Sequence, residues 1–564
     1  EFFDSKTSQY VPYTVTELQQ MINRAGRPGI DTQGMVMIFC EESKKDFLED
    51  FINSEFPIES SLQPYIYDHV NAEIACGIIN SFDTLMDWLS NSYFAIRLNM
   101  NPRYYGNTTI AQIAEETVKD LVYSKCIKVV NNNTSYLPTA AGRIASIFYV
   151  SYATIRFFLD RMNEVNSVVD ILYLICHAGE FKEVITVRHN EDDILSQMTP
   201  KYKRNDSSTA SIYTLKTFYL VQYYLSHRKM PISDFEADLG LILDTMTRLI
   251  GCFIELCASE KKLQVMINSI LVYQMIMQGI WHDEVPLKAL LKEQLMKDLK
   301  TKNDIKTLPQ LINALNNNNN GGGALNSKAL LPITEKVLLY SPNNRRLSEN
   351  RTKFVVDLIK VNGVLGCNTI SPHFDNRDKQ YLYIIVGNPD KKQVICHRRV
   401  RLDKEKITVA LSSAEKTEIS DDCWAYFMFD SYIGIDQMYS ISGAVVTKQL
   451  FLRKKEIIKV VKKKKKQMFT YQSPTNSASS SAPSSALPPA PSFQPKMLNP
   501  QSNAAPQQQT ADSSNKKGNQ NNKRKNQKKK KHNDNNNNNN NNGGGGGQAQ
   551  LSSKSSKNEG NRFR

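Results

Sequence analysis

Apolar positions along the first 460 residues follow three different periods. Met35-Val-Met-Ile-Phe-Cys40 is a continuous apolar run of strand length, the pattern of a strand buried on both faces, and Ser43 to Asn53 reads as an amphipathic helix. Helical spacing continues from about Val70 to Asn80, Asp83 to Leu98 and Thr108 to Lys125. Two short strand-like runs, Ile127-Lys-Val-Val130 and Ser135-Tyr-Leu137, then flank Asn131-Asn-Asn133, whose residues favour a turn. Helices followed by a small hairpin predict a winged helix. From Gly142 to Gln278 the pattern is helical again. Its longest stripe, Leu241, Met246, Leu249, Ile250, Phe253, Ile254 and Cys257, predicts one long helix over Leu239 to Ala258. Past an Asn/Gly stretch at 316–323 the character turns β-rich. Phe354 to Val361, Gln380 to Val386, Gln393 to Cys396, Ile407 to Leu411, Cys423 to Phe429 and Tyr439 to Val446 are six runs separated by turn residues, which predict a β-sandwich.

Charge separates the tail from the rest. Residues 462–564 hold 19 Lys+Arg against 3 Asp+Glu, or +16, while the whole chain is +15, so residues 1–461 sum to about −1. The tail sets Lys462 to Lys466, Lys523-Arg-Lys525 and Lys528 to Lys531 among Ser, Pro, Gln and Asn runs, too few apolar residues to offset the entropy of ordering. It is expected to be a disordered, basic, low-complexity segment. Its lysines suit a nuclear import signal or a sequence-blind nucleic-acid arm; a solvated tail of drifting composition explains them equally well. The nine cysteines are scattered without ligand spacing and read as reduced, mostly core thiols, so no metal site is expected. No uninterrupted apolar run reaches membrane length.

The candidate chemistry lies near the start. Gln20-Met-Ile-Asn-Arg24-Ala-Gly-Arg27-Pro-Gly29 places two arginines three apart around a glycine. A guanidinium is always charged and presents a planar fork of donors to phosphate oxygens, as NTPases require when charge spreads over a γ-phosphate. No G-x-x-x-x-G-K-[ST] and no acidic cluster for magnesium accompany it, so the chain alone is not expected to hydrolyse ATP.

These residues, together with Phe2-Phe-Asp-Ser-Lys-Thr7, Ile58-Glu-Ser-Ser-Leu62, Asn71-Ala-Glu-Ile74, Met100-Asn-Pro-Arg-Tyr-Tyr105 and Gly142-Arg-Ile-Ala-Ser146, stand in the order of the large two-cassette superfamily 2 DExH-box helicases. The chain resembles that family from its first residue to about Thr447. Within it, the helicases of cointegrator-type complexes are the nearer match and the spliceosomal helicases the alternative. The family motif reads Q-x-x-G-R-A-G-R, and Asn23 stands where its first glycine belongs, as in degenerate second cassettes. The resemblance implies a multidomain α+β chain that is the C-terminal portion of a longer helicase. Residues 1–55 would end a second RecA-like domain, 56–150 form a winged helix acting as a hinge, and 151–285 a helical bundle. A helix-loop-helix at 286–318, an immunoglobulin-like β-sandwich at 330–460 and the tail at 461–564 complete it. Gln20, Arg24 and Arg27 would be catalytic and nucleotide-binding, with ATP and Mg2+ held in the parent protein. The helix over Leu239 to Ala258 would be the ratchet crossing a single strand of nucleic acid, gripped by Thr245 and Arg248. Protein partners of a cointegrator-type complex and a nuclear or cytosolic location follow, with no membrane. The competing expectation is an inactive cassette that serves as a scaffold for protein partners.

Several residues carry plainer alternatives. Arg248 is the single cation between Leu239 and Ala258; it suits a phosphate or a base, and equally an ion pair with Asp244. His189, in Val187-Arg-His-Asn-Glu-Asp192, has no second ligand at zinc spacing. Trp281 and Trp424 are expected to be packing anchors. Lys288, Lys292, Lys297, Lys300 and Lys302 could follow a departing strand, though a solvated helix face is the commoner explanation.

Overall fold

The computed structural model describes residues 2–4, 9–27, 29–53, 58–130, 134–188, 190–203, 210–291, 307–312, 335–375, 377, 379–413 and 418–441. His189, Lys292, Lys297, Lys300, Lys302, the Asn131–Asn133 tip, the end of the last strand-like run and the basic tail lie outside these residues.

A two-stranded antiparallel ribbon, β1 (Phe2–Asp4) and β2 (Gln9–Val11), comes first. Helix α1 (Val15–Ile22) follows, started by a reciprocal cap in which the Thr14 hydroxyl accepts the Glu17 amide and the Glu17 carboxylate accepts the Thr14 amide at 2.8 Å. Helix α2 spans Lys45–Asn53. The strand expected at Met35 to Cys40 is not formed: no strand among the described residues pairs with it, and Met35, Met37 and Phe39 are 83, 73 and 92% exposed. A strand exists by exchanging main-chain hydrogen bonds with a neighbour, and an apolar run without one stays irregular.

Four helices and a hairpin come next: α3 (Ile66–Cys76), α4 (Phe82–Ser90), α5 (Tyr93–Met100), α6 (Ile110–Tyr123), β3 (Ile127–Val130) and β4 (Ser135–Pro138). The single helix expected over Asp83 to Leu98 is two, because the Ser92 hydroxyl accepts the Ala95 amide and starts a new helix after Asn91. Val70, Leu85, Leu89 and Leu121 form the centre of this unit. Helix α7 (Ala140–Phe148) is pressed onto it: a Cβ on Gly142 would stand 2.1 Å from the Cys126 carbonyl oxygen, and Asn71 donates its Nδ2 hydrogen to the Gly142 carbonyl at 3.0 Å. Only glycine allows that approach.

The bundle continues with α8 (Tyr152–Arg161), α9 (Val168–Cys176), α10 (Phe181–Val184), α11 (Glu191–Gln197), α12 (Ile212–Leu225), α13 (Ser233–Ser259) and α14 (Leu263–Gln278). Helix α13, at 27 residues, is the longest of these and runs roughly 40 Å. Trp281 is fully buried, donates its indole N–H to Ser226 Oγ at 2.9 Å and meets Tyr202 edge-on, so the anchor is also hydrogen-bonded.

Two antiparallel sheets close the described chain. One has the order β5-β6-β9, from β5 (Leu339–Leu347), β6 (Lys353–Asn362) and β9 (Lys406–Ser412). The other, β11-β10-β7-β8, is built from β7 (Tyr381–Asn388), β8 (Gln393–Arg401), β10 (Trp424–Phe429) and β11 (Gln437–Ser440). Strand β5 was not expected, since Pro342 and a polar centre hide its pattern; it is an edge strand, where a proline removes no ladder bond. Strand β7 is buried on both faces. Leu382, Ile384 and Val386 face the core shared by the two sheets, while Tyr383 and Ile385 join the helical core. Trp424 is half-buried against the helical core as well.

Candidate nucleotide and nucleic-acid interface

Gln20 lies in the last turn of α1, and Arg24 and Arg27 follow its cap residue Asn23; all three side chains are exposed. Asn23 has φ −70°, an ordinary right-handed value that calls for no glycine, whereas Gly26 turns the chain at φ +84°. The Arg27 amide and Nε both donate to the Asp31 carboxylate, at 2.8 and 3.2 Å, with the Arg27 side chain 72% exposed. An exposed ion pair contributes about 0.2–1 kcal/mol, so Asp31 holds the guanidinium only loosely. Among the described residues no group of His, Cys, Asp and Glu is arranged to hold a metal ion.

The sequence fragments around Glu59 and Tyr105 converge on one knot. Glu59 accepts from Arg97 Nη2 at 2.7 Å and Nε at 3.2 Å, from Asn101 Nδ2 at 2.9 Å and from the Tyr105 hydroxyl at 2.8 Å; that hydroxyl also accepts the Ser60 amide at 2.7 Å. The hydrogen bonds from Arg97 dominate and hold the Glu59 carboxyl down at about 2, while burial pushes the Tyr105 phenol up to about 12. Each group already has its partners. The knot pins the chain leading into α3, and the Glu59 carboxylate at its centre is already matched by four hydrogen bonds.

On α13, Thr245 and Arg248 differ in exposure: Thr245 is 8% exposed and Arg248 is half-buried. Arg248 does not form the ion pair with Asp244 weighed for it. Its Nη1 donates to the carbonyl of Phe148 at 3.2 Å and to that of Tyr149, at the end of α7. Asp244 instead lies 3.1 Å from His373 Nε2. The physical reason is that a helix C-terminus carries carbonyls with no helical partner and a partial negative charge, an acceptor site that sequence spacing does not reveal. The outward residues nearby are Leu241, 50% exposed, and Tyr149, 86% exposed.

The start of α13 is tied by an ion cluster. Lys216 on α12 is fully buried, and its Nζ lies 2.6 Å from Glu191, 2.7 Å from Asp238 and 2.8 Å from the Thr186 carbonyl. Arg188 closes the group, bonding Glu191 at 3.0 Å, Asp238 at 2.8 Å and Asp234 at 3.2 Å. Burial pushes the Asp238 carboxyl up, but hydrogen bonds from Arg188 and Lys216 outweigh it and the net shift is downward. Sequence reasoning passed over this cluster, although Lys216 is the single charge in the apolar and aromatic run Ile212–Leu225. The sheets hold α13 and α14 from the other side. His397 Nε2 lies 2.9 Å from Glu255, and Gln278 donates to the carbonyls of Ser431 and Ile370 at 2.7 and 3.0 Å.

Residues 59–131 match a winged helix-turn-helix domain model, which takes in α3 to α6 and the first hairpin strand, β3. Over 78% of its length the chain is 29% identical to activating signal cointegrator 1 complex subunit 3 of Gallus gallus. It is also 29% identical, over 78%, to the U5 small nuclear ribonucleoprotein 200 kDa helicase of Drosophila melanogaster. A shorter match, 32% over 51% of the chain, is to activating signal cointegrator 1 complex subunit 3 of Dictyostelium discoideum. These alignments take in 23, 22 and 14% of the relatives, so the chain spans under a quarter of the length of the curated relatives it matches. Residues 138–442, which run from the start of α7 through the bundle to the last strand, match the Sec63 Brl domain model over more than half of the chain, and the chain belongs to that family.

Proposed function

We propose that this chain supplies the C-terminal part of a cassette of an ATP-dependent DExH-box helicase. The observation that carries the reading is the order of parts in one chain: an exposed arginine segment, a winged helix, and a Sec63 unit built around one long helix, aligned with helicases over 78% of the chain. In this reading residues 1–55 end a RecA-like domain, and the exposed apolar run Met35 to Phe39 is the strand that a completed sheet would cover. Gln20, Arg24 and Arg27 form one wall of the nucleotide cleft, Arg27 leaving Asp31 for the γ-phosphate, while ATP and Mg2+ are held chiefly by residues outside this chain. The winged helix at 56–150 is the hinge and the bundle at 151–285 grips a single strand through the face of α13 bearing Thr245 and Arg248. The helix-loop-helix at 286–318, the immunoglobulin-like sandwich at 330–460 and the basic tail complete the arrangement. Unwinding 3′ to 5′ in DNA repair or ribosome rescue, in the nucleus and within a cointegrator-type complex, is the role that the resemblance supports.

A scaffold that no longer hydrolyses ATP is the second reading, favoured by Asn23 at the glycine position of the motif and by the local pairing of Arg27 with Asp31. One experiment separates them. In the full-length protein, Arg27→Ala should abolish the nucleic-acid-stimulated ATP turnover of its cassette and leave the melting temperature unchanged, because an exposed side chain has little packing to lose. Total turnover equal in wild type and variant, and therefore owed to another cassette of the protein, would favour the scaffold.

A further inference from the structure

The turn between α13 and α14 meets the tip of the β7–β8 hairpin. The Leu263 amide donates to the Lys392 carbonyl and the Val394 amide to the Lys261 carbonyl, each at 3.0 Å, a short bridge between helix turn and hairpin. The tip is set in turn by Asn388, whose Oδ1 accepts the amides of Asp390 and Lys391 at 3.0 Å. Main-chain bonds therefore fix these two walls against each other, and the loop from Met162 to Asn166 after α8 makes a third. Between them lies an open cleft of about 530 Å³.

Its chemistry is one-sided. Lys261, Lys262, Lys391 and Lys392 line it against a single acid, Glu260. Residues 1–461 sum to about −1, so four lysines in one cleft are a local concentration and not a sample of a basic surface. The rest of the polar lining is carboxamide: Asn163, Asn166, Gln264, Asn268 and Gln393. Gln264 Nε2 donates to Asn268 Oδ1 and Asn166 Nδ2 to the Glu164 carbonyl, each at 3.1 Å, which leaves the Gln264 oxygen and the Asn268 amide group toward the N–H and C=O of an extended peptide, and lysines supply point charges for carboxylates. No aromatic ring and no arginine lines the cleft, so it lacks both the stacking platform of single-strand sites and the planar fork that favours phosphate.

We propose that this cleft is the docking site for an extended, Asp/Glu-rich segment of a partner protein. Glu260 lies roughly 18 Å along the chain's long helix from Arg248, so the site is independent of the strand-gripping and nucleotide-binding roles assigned above.

The test uses the full chain and a fluorescein-labelled eight-residue peptide of Asp, Glu and Gly, with binding read by anisotropy at 0.15 M salt. A benzophenone version locates the site by crosslinking and mass spectrometry, because the basic tail also attracts acids. Adducts are expected within 160–166, 260–268 or 388–394. Lys391→Glu with Lys392→Glu should weaken that binding at least 10-fold at an unchanged melting temperature, and the milder pair Lys391→Gln and Lys392→Gln about 3-fold. Adducts confined to the tail, with affinity unchanged in both double variants, would overturn the proposal. So would a lysine-dependent affinity for a ten-nucleotide uridine oligomer or a phosphoserine peptide that the Asp/Glu peptide does not share.

Discussion

Lys216→Met is the sharpest probe of what holds the long helix in place. Methionine keeps the length of the side chain and removes the ammonium, so packing against Phe235, whose ring lies 5.0 Å from Nζ, is largely retained. What is lost is the cation between Glu191 and Asp238, which are 2 and 4% exposed. Two buried carboxylates are then left with Arg188 alone. Removing one partner of a buried ion pair costs about 3–5 kcal/mol. For a melting unit of this size each kcal/mol shifts Tm by about 2–4 °C, so the expected loss at pH 7.5 is roughly 6–20 °C. The pH dependence gives the sign. In the wild type the folded pKa of Asp238 is lowered, so its contribution is present above the unfolded value and lost as pH falls through the folded one. Without Lys216 the same dry pocket favours protonation, a carboxyl pKa rises, and the deficit should shrink between pH 7.5 and 5.5. Adding Glu191→Gln to the variant should recover part of the loss by removing one unpaired charge. Circular dichroism melts at both pH values measure this. A loss under 3 °C at pH 7.5, or a deficit that grows on acidification, would refute the account.

Gly142→Ala should destabilise by about 1–3 kcal/mol or more, since its Cβ would stand 2.1 Å from a main-chain oxygen that cannot rotate away; thermal melts and proteolysis between α3 and α7 read the effect. Arg248→Leu should cost about 1–2 kcal/mol through the lost cap on α7, with a coupling to Asp244→Asn below about 0.3 kcal/mol; a coupling near 1 kcal/mol would reinstate the ion pair. Asp68, whose carboxyl burial pushes up to about 6, holds its proton more tightly folded than unfolded, so it favours folding at low pH and loses that advantage as pH rises through 6. Asp68→Asn keeps an acceptor for the Tyr152 amide, now 2.7 Å from Asp68 Oδ1. Its melting temperature should therefore gain on the wild type between pH 5 and 7.5, and a constant difference would exclude this role.

Elements whose stability comes from their own residues were legible. The long helix was placed at Leu239 to Ala258 from its apolar stripe and spans Ser233–Ser259; Ile127–Val130 was placed to the residue. Five strand-like runs fall on β6 to β10 because their side chains alternate or run apolar, and the sixth overlaps β11 at Tyr439 and Ser440. What failed depended on partners. Met35 to Cys40 has the composition of a strand and no neighbour among the described residues; β5 has a neighbour and hides its pattern behind Pro342. The break between α4 and α5 hangs on one serine hydroxyl. At the site, motif spacing identified Gln20, Arg24 and Arg27 as residue types, and their exposure was open until the fold was known. For Arg248 the acceptor is main chain from a helix about 100 residues earlier, which no side-chain pattern encodes. The Lys216 cluster did leave a signal, a lone charge in an apolar run, of the kind that a buried and paired cation leaves.

The sheet of β7 and β10 is a party wall. Tyr383, Ile385, Tyr426 and Met428 belong to the helical interior, and Leu382, Ile384, Ala425 and Phe427 to the interior between the sheets. A fragment cut near residue 330 would turn the first four to water, at about 1.5–3 kcal/mol each if fully exposed. The change of period there is a boundary of pattern and not of folding. A single calorimetric transition is expected for the two layers together, and the excised sheets should aggregate. Rearrangement, duplication or loss in this lineage would then act on bundle and sheets as one indivisible piece.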